Sequence, residues 1–362
     1  MPRSVRKSGM THEERMNALL NYQKPDRVPI FSMGGGFAMI NCGYTLTDLE
    51  TDPQKYWNAL RWTCEQYGWE PLWQQSPNTV LGGWDFGGKV KMPDSSYVMA
   101  ISVESPPVKK EADVWNLRMP DPKTAGAIPK RMEFSRLQDD AGWPVTFTSR
   151  SPFTMGADIC GVEQFGRWLG KKPELCERLI RIALKHIFNT LQYWVDTFGA
   201  EKIVFYMHSP TEANQIISPK HFQKYALPYH KESQQRMRAL GVDKFMFHIC
   251  GEQNMNLPYL AELASSEESW PHPSILSFGD EIKLDDAAKY FPDDIMMGNV
   301  NPTSIQMGAP EEVYELSRIC IEKGKEFAGG FILGPGCQLP PRAPAYNIWT
   351  MTKAVNDFGW YD

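Results

Sequence analysis

A rhythm in the second half of the chain constrains its fold more than any other feature. From Val145 onward, short apolar runs alternate with helical stretches. Residues 145–148, 203–206, 245–249, 274–278, 295–297 and 331–333 each read as a buried strand. Residues 28–31 read as an earlier one, and Pro71-Leu72-Trp73 supplies a candidate for one more. Strands separated by helices imply a parallel sheet, because parallel neighbours need a long crossover. Seven or eight such units favour a closed barrel over an open doubly wound sheet. The Gly34-Gly35-Gly36 run also lacks the Gly-x-Gly-x-x-Gly spacing that often follows the first strand of an open sheet. The predicted fold class is therefore α/β, a single (β/α)8 TIM barrel with an N-terminal extension and an irregular early excursion.

The boundaries follow from local signals. Residues 1–10 are expected to be a disordered tail and 11–362 the barrel domain, with a Gly-, Pro- and Trp-rich excursion at about 71–129 that holds a hairpin near 89–103. Thr11 is placed to cap a first helix with Glu13 and Glu14 in its opening turn. Further helices are expected at 53–67, 162–169, 173–198, 284–290, 310–324 and 343–358, and from Pro219 to 241 with a bend at Pro228. In 173–198, Leu175, Leu179, Ile182, Ile187, Leu191 and Trp194 recur on one side at helical spacing.

Composition narrows the function classes. A formal net charge of −5 argues against a nucleic-acid partner. No apolar run approaches a membrane span, and the basic start has no apolar stretch behind it. Seven cysteines at irregular spacings do not make a disulfide framework, which suits a reducing cytoplasm.

A barrel places its chemistry at the C-terminal ends of its strands. Polar residues at such ends are Ser149, Arg150, His208, Glu212, His248, Cys250, Asp280, Asn299, Asn301 and Cys337. His248, Cys250 and Cys337 offer one nitrogen and two sulfurs, a set that suits zinc with one coordination position left open. His248 and Cys250 share strand parity, so both can face the mouth. On residue type alone a metal site and plain packing both stay open, since a buried cysteine is usually a small hydrophobe. Glu212 has two readings as well, a metal ligand or proton acceptor and a cap for the next segment. Asp280, Asn299 and Asn301 either orient substrate and ligands or merely shape turns. Gly34 and Gly35 let the backbone turn or approach a bound cofactor.

His248-Ile249-Cys250-Gly251, Gly298-Asn299-Val300-Asn301-Pro302, the segment from Phe331 to Cys337, and Ser218-Pro219 with the helix to Leu227-Pro228-Tyr229 resemble the uroporphyrinogen decarboxylase superfamily. The resemblance covers most of the chain from Val145 onward and is looser before it. It implies the (β/α)8 barrel. Decarboxylases of that superfamily carry an Arg-Gln-Ala-Gly-Arg loop after the first strand. This chain has Phe31-Ser32-Met33-Gly34-Gly35-Gly36-Phe37 there, without arginine, and the decarboxylase's aspartate segment finds no clear equivalent before Gly82. The zinc-dependent corrinoid methyltransferase branch carries His-x-Cys plus a distant Cys, which matches His248, Cys250 and Cys337.

The resemblance thus implies zinc held by these three residues; Glu212 and Asp280 stay the catalytic candidates, and Asn299, Gly34 and Gly35 the cofactor-side candidates, on the positional readings above. It implies methyl transfer between a small donor or acceptor and the cobalt of a corrinoid. No Asp-x-His-x-x-Gly segment is present to ligate cobalt, so the corrinoid is expected on a separate protein. A methoxylated aromatic is the favoured small molecule, because Trp69, Trp73, Trp84 and Trp143 lie in or near the excursion, and a thiol is the alternative. The rival readings are a uroporphyrinogen-type decarboxylase and a non-catalytic corrinoid- or tetrapyrrole-binding accessory protein.

Overall fold

A computed structural model describes residues 9–71, 73, 77, 81–98, 100–265 and 270–361. Most of the expected tail, and Leu72 of the candidate strand at 71–73, lie outside the described residues. A short antiparallel hairpin comes first, β1 (Lys89–Lys91) with β2 (Ser102–Ser105), inside the excursion as expected. The main sheet is β3 (Val145–Arg150), β4 (Ile203–His208), β5 (Lys244–Ile249), β6 (Ile275–Phe278), β7 (Ile295–Val300) and β8 (Phe331–Pro335). Its neighbours are consecutive in sequence and every pair is parallel.

The 28–31 segment is a bridge rather than a regular strand. Ile30 pairs in parallel with Leu333 of β8, with Phe31 N–H donating to Leu333 O at 2.9 Å and Leu333 N–H to Pro29 O at 2.9 Å. Pro29 removes one donor, which shortens the ladder. On the far side of this stave, Glu70 N–H donates to Ile30 O at 3.0 Å. The sheet thus curls past its regular strands into the α/β barrel that the strand rhythm predicted.

Alternation along the strands sorts side chains into two populations. Val204, Tyr206, Met246, Ile275, Ile295, Met297 and Ile332 form one buried cluster with Phe31, Met33 and Trp73, which fills the barrel interior. Phe147, Phe205, Phe247, Leu276, Met296 and Leu333 point the other way into a larger cluster shared with the helices. The inward parity of β3, β4 and β5 includes Arg150, His208 and His248.

Helices Pro53–Tyr67, Pro173–Phe198 and Pro310–Gly324 stand where expected. Thr11 makes a capping box with Glu14 at the start of His12–Leu20. Ile182 leaves the predicted buried stripe and is only half-buried, while Ile180, Ala183 and Leu184 take the core positions. The helix after Pro219 divides at Ala226, into Pro219–Tyr225 and Leu227–Ala239, because Pro228 opens the second piece. Pro152–Cys160 is a helix that the sequence did not reveal. Every residue of it is buried, so it has no polar face to generate a period. Ile128–Asp140 also went unread, and its buried face includes the polar Arg131, Ser135 and Gln138.

Candidate metal centre

His248 lies on β5, one residue before the strand ends, and Cys250 follows it. Cys337 lies two residues past the end of β8. The structure brings all three together, with one ligand atom from each within 4.8 Å of the others. Tetrahedral zinc with bonds of about 2.1–2.3 Å needs ligand atoms about 3.5–3.8 Å apart, so small side-chain movements suffice. The neighbouring loop makes this approach possible. A Cβ on Gly336 would lie 2.7 Å from Asp280 N, so only glycine lets the 334–337 segment rest on the loop after β6.

The imidazole is set by a residue that sequence reasoning missed. Ser277 pairs in register with His248 across β5 and β6, and its Oγ lies 3.0 Å from His248 Nδ1. Nε2 is buried and, Cys337 aside, has no hydrogen-bond partner among the described residues. A buried unpaired nitrogen costs about 1–3 kcal/mol, so this one is poised for a ligand. The inward parity of β6 was the available signal for Ser277. A hydrogen bond from Cys250, helped by His248, holds Cys337 well below the usual thiol range, while that same bond and burial push Cys250 up. The donor set, its paired thiols and the open Nε2 fit a zinc ion.

The other candidates separate by role. Glu212 is fully buried and both its oxygens are engaged, Oε1 by Ser151 Oγ at 2.5 Å and Oε2 by His230 Nε2 at 2.7 Å. It is not one of the three residues grouped around the metal position. Asp280 is exposed and accepts from Asn301 Nδ2 at 2.5 Å. Asn299 donates to Gly279 O at 2.9 Å and Ile282 O at 2.7 Å, tying the loop after β6 to β7. Asn301 caps helix Pro302–Met307 by accepting from Ser304 N–H. These contacts put Asp280 and Asn299 in the framework behind Cys337.

Gly34 and Gly35 begin helix Gly35–Asn41, where a Cβ on Gly35 would meet Tyr56 Oη at 2.6 Å and one on Gly34 would meet Ser32 Oγ at 2.8 Å. The space beside Gly35 is taken by tyrosine, so close packing accounts for it without a cofactor. In the same loop Met33 adopts φ 43° and its Sδ accepts from Tyr206 Oη at 3.4 Å inside the barrel.

The tryptophans are placed by packing. Trp69 lies against Phe37 and Tyr67, Trp143 against Trp57, Trp73 among Met246, Ile275, Met297 and Ile332 in the barrel interior, and Trp84 against the larger core. Packing thus accounts for these tryptophans without an aromatic ligand.

Comparison with known proteins places the chain in a family. The family description "Uroporphyrinogen decarboxylase (URO-D)" matches residues 11–358. A methylated-thiol–coenzyme M methyltransferase of Methanosarcina mazei is 24% identical over 61% of this chain and 55% of its own length. A methylcobamide:CoM methyltransferase of Methanosarcina barkeri is 21% identical over 97% of this chain and 99% of its own. A uroporphyrinogen decarboxylase of Myxococcus xanthus is 24% identical over 66% of each chain. The match to the first relative thus spans little more than half that protein. Among solved structures, a methyltransferase from Methanosarcina mazei superposes with a TM-score of 0.80 at 21% identity, covering 96% of this chain and 99% of that one, which establishes the shared fold.

Proposed function

The chain belongs to the uroporphyrinogen decarboxylase family, in its corrinoid methyltransferase branch, and from that premise we propose that it is a zinc-dependent methyltransferase acting between a small thiol and the cobalt of a separate corrinoid protein. The observation that carries the reading is the grouping of His248, Cys250 and Cys337 at the strand ends with His248 Nε2 unpaired. Zinc held there supplies a Lewis acid that lowers the pKa of a substrate thiol and keeps it nucleophilic at neutral pH.

The chain's own residues do the rest. Ser277 holds Nδ1 so that Nε2 faces the site, the usual way an outer partner orients a ligating imidazole. Asp280 and Asn299 fix the loops on which Cys337 rests, a positioning role rather than proton transfer. In the methyl transfer the substrate sulfur bonds to the methyl carbon as the cobalt–carbon bond breaks. The electron pair of that bond stays on cobalt, and the thiol proton is released to water when the thiol binds. In the reverse direction the thioether gives its methyl to reduced cobalt. The barrel mouth is the face from which cobalt reaches this sulfur, so the corrinoid protein docks there.

A thiol takes precedence over a methoxylated aromatic for two reasons. The tryptophans that suggested an aromatic pocket pack elsewhere, and the relatives' names specify methylated thiols and coenzyme M. The test uses protein purified without added metal. Near-stoichiometric zinc, lost in Cys250→Ala and Cys337→Ala, is expected, together with a methylcobalamin absorbance change driven by thiols. A metal-free preparation that transfers methyl at full rate sinks the zinc reading. Turnover of methoxylated aromatics but not thiols restores the earlier substrate.

A further inference from the structure

Met33 sits where the metal site meets the barrel interior. It is 4% exposed and belongs to the interior cluster with Tyr206, Met246 and Met297. Its φ of 43° is left-handed, a conformation uncommon for a residue with a side chain and kept only where surrounding contacts enforce it. Those contacts lead to the metal position from two directions. The Met33 carbonyl accepts from Leu339 N–H at 3.2 Å, two residues beyond Cys337. Its Sδ lies 3.4 Å from Tyr206 Oη and 4.0 Å from Ser277 Oγ, and Ser277 Oγ in turn lies 3.0 Å from His248 Nδ1.

Counting hydrogens gives the sulfur a specific task. An imidazole that gives Nε2 to a metal carries its proton on Nδ1 and donates it outward. Ser277 Oγ must then accept, and its own single hydrogen has to find another partner. Ser277 is fully buried, so a hydroxyl hydrogen left unmet would oppose metal binding. Among the described residues, the neighbour placed to take it is Met33 Sδ, which has no hydrogen and so can only accept. The contact is long, and Tyr206 Oη donates to the same sulfur, but a large, polarisable sulfur can serve both hydroxyls.

We propose that Met33 is a positioning residue of the metal site: its thioether takes the Ser277 hydroxyl hydrogen, which lets Ser277 accept from His248 and leaves Nε2 to the metal. This rests on the zinc reading above and extends it to a residue that touches no ligand atom. The left-handed turn puts two groups of one residue to use, the sulfur toward the support of His248 and the carbonyl toward the loop that carries Cys337.

The test reads zinc affinity in the full chain, by competition with a chromophoric chelator. Met33→Leu conserves volume and removes the acceptor. It should weaken zinc binding about three- to tenfold, the size of one modest hydrogen bond. Made in a Ser277→Ala background, the same change should add nothing, because the residue through which Met33 acts is gone. In zinc-loaded protein with isotope-labelled histidine, the His248 Nδ1–H resonance should move upfield in Met33→Leu, as its bond to Ser277 loses the support of the next bond in the chain. Unchanged affinity or an unmoved resonance in Met33→Leu overturns the proposal. So does a loss that adds in full to that of Ser277→Ala, since Met33 would then act by packing alone. A wild type that takes up no zinc defeats the zinc reading and this proposal with it. The expected zinc response in a protein that moves no methyl group leaves this inference standing and defeats the proposed reaction instead.

Discussion

At the scale of single residues, the site depends on side chains that hold the ligands as much as on the ligands. Ser277 is the clearest case, because removing its hydroxyl frees His248 to rotate and to change tautomer. Ser277→Ala is expected to weaken zinc affinity about 10–100-fold, measured by competition with a chromophoric chelator, while the fold is retained. Unchanged affinity would mean that the ring is fixed by packing alone. Gly35 makes the opposite point. Its Cβ would lie 2.6 Å from Tyr56 Oη, so Gly35→Ala should destabilise the protein by about 1–3 kcal/mol in urea unfolding, and Tyr56→Phe should recover part of that loss. If Gly35→Ala instead leaves stability intact and impairs corrinoid-dependent turnover, the close approach serves a cofactor. The three candidate ligands were legible through the family resemblance, since residue type alone left plain packing open. The tasks of Ser277 and Gly35 were not, because they depend on what lies opposite each residue in the fold.

At the scale of elements, two buried polar clusters tie the irregular parts to the barrel. Glu70, 1% exposed, accepts from Arg15 Nη1 at 2.8 Å and Ile30 N–H at 2.7 Å, joining the first helix to the irregular staves. Glu70→Ala leaves a buried guanidinium short of its partner and is expected to cost about 3–5 kcal/mol by chemical denaturation. A loss below about 1 kcal/mol would show that Asp26, which also pairs with Arg15, suffices. The excursion is held by Asp85, whose Oδ2 lies 2.9 Å from His186 Nε2 and whose Oδ1 accepts Ala127 N–H. His186→Phe should therefore speed proteolysis within 81–127 before the barrel is cut, and simultaneous loss of both regions would refute a separate tether. The regular strands were readable because each is a continuous apolar run. The stave at 28–31 was readable as apolar but not as a mere bridge, since its irregularity comes from Pro29 and from the Glu70 carboxylate that takes the Ile30 N–H. Helix Pro152–Cys160 escaped because complete burial erases the polar face on which periodicity depends.

At the scale of the whole molecule, the question is whether the metal holds the fold or uses it. The candidate ligands come from the ends of β5 and β8, far apart in sequence, and the curved sheet already brings those ends together through β6 and β7. The core does not include them. The interior is filled by Tyr206, Met246, Ile275, Met297 and Ile332, and the shell outside the strands by Phe147, Phe205 and Phe247. A structural zinc in a small domain supplies folding energy outright, whereas one bound to a preformed barrel adds only the linkage stabilisation set by its concentration and affinity. Chelation is therefore expected to abolish methyl transfer while far-ultraviolet circular dichroism and the urea m-value stay unchanged. The melting temperature should fall only by the amount that free zinc restores. Because zinc takes both sulfurs as thiolates, while the hydrogen bond to Cys337 and burial push the Cys250 thiol up, uptake should also release protons, seen as a buffer-dependent heat in calorimetry. Loss of secondary structure on chelation would overturn the preformed site. A barrel that stays folded without its metal keeps His248 and the loops around Cys337 in place, so activity should return on adding zinc alone, without a refolding step.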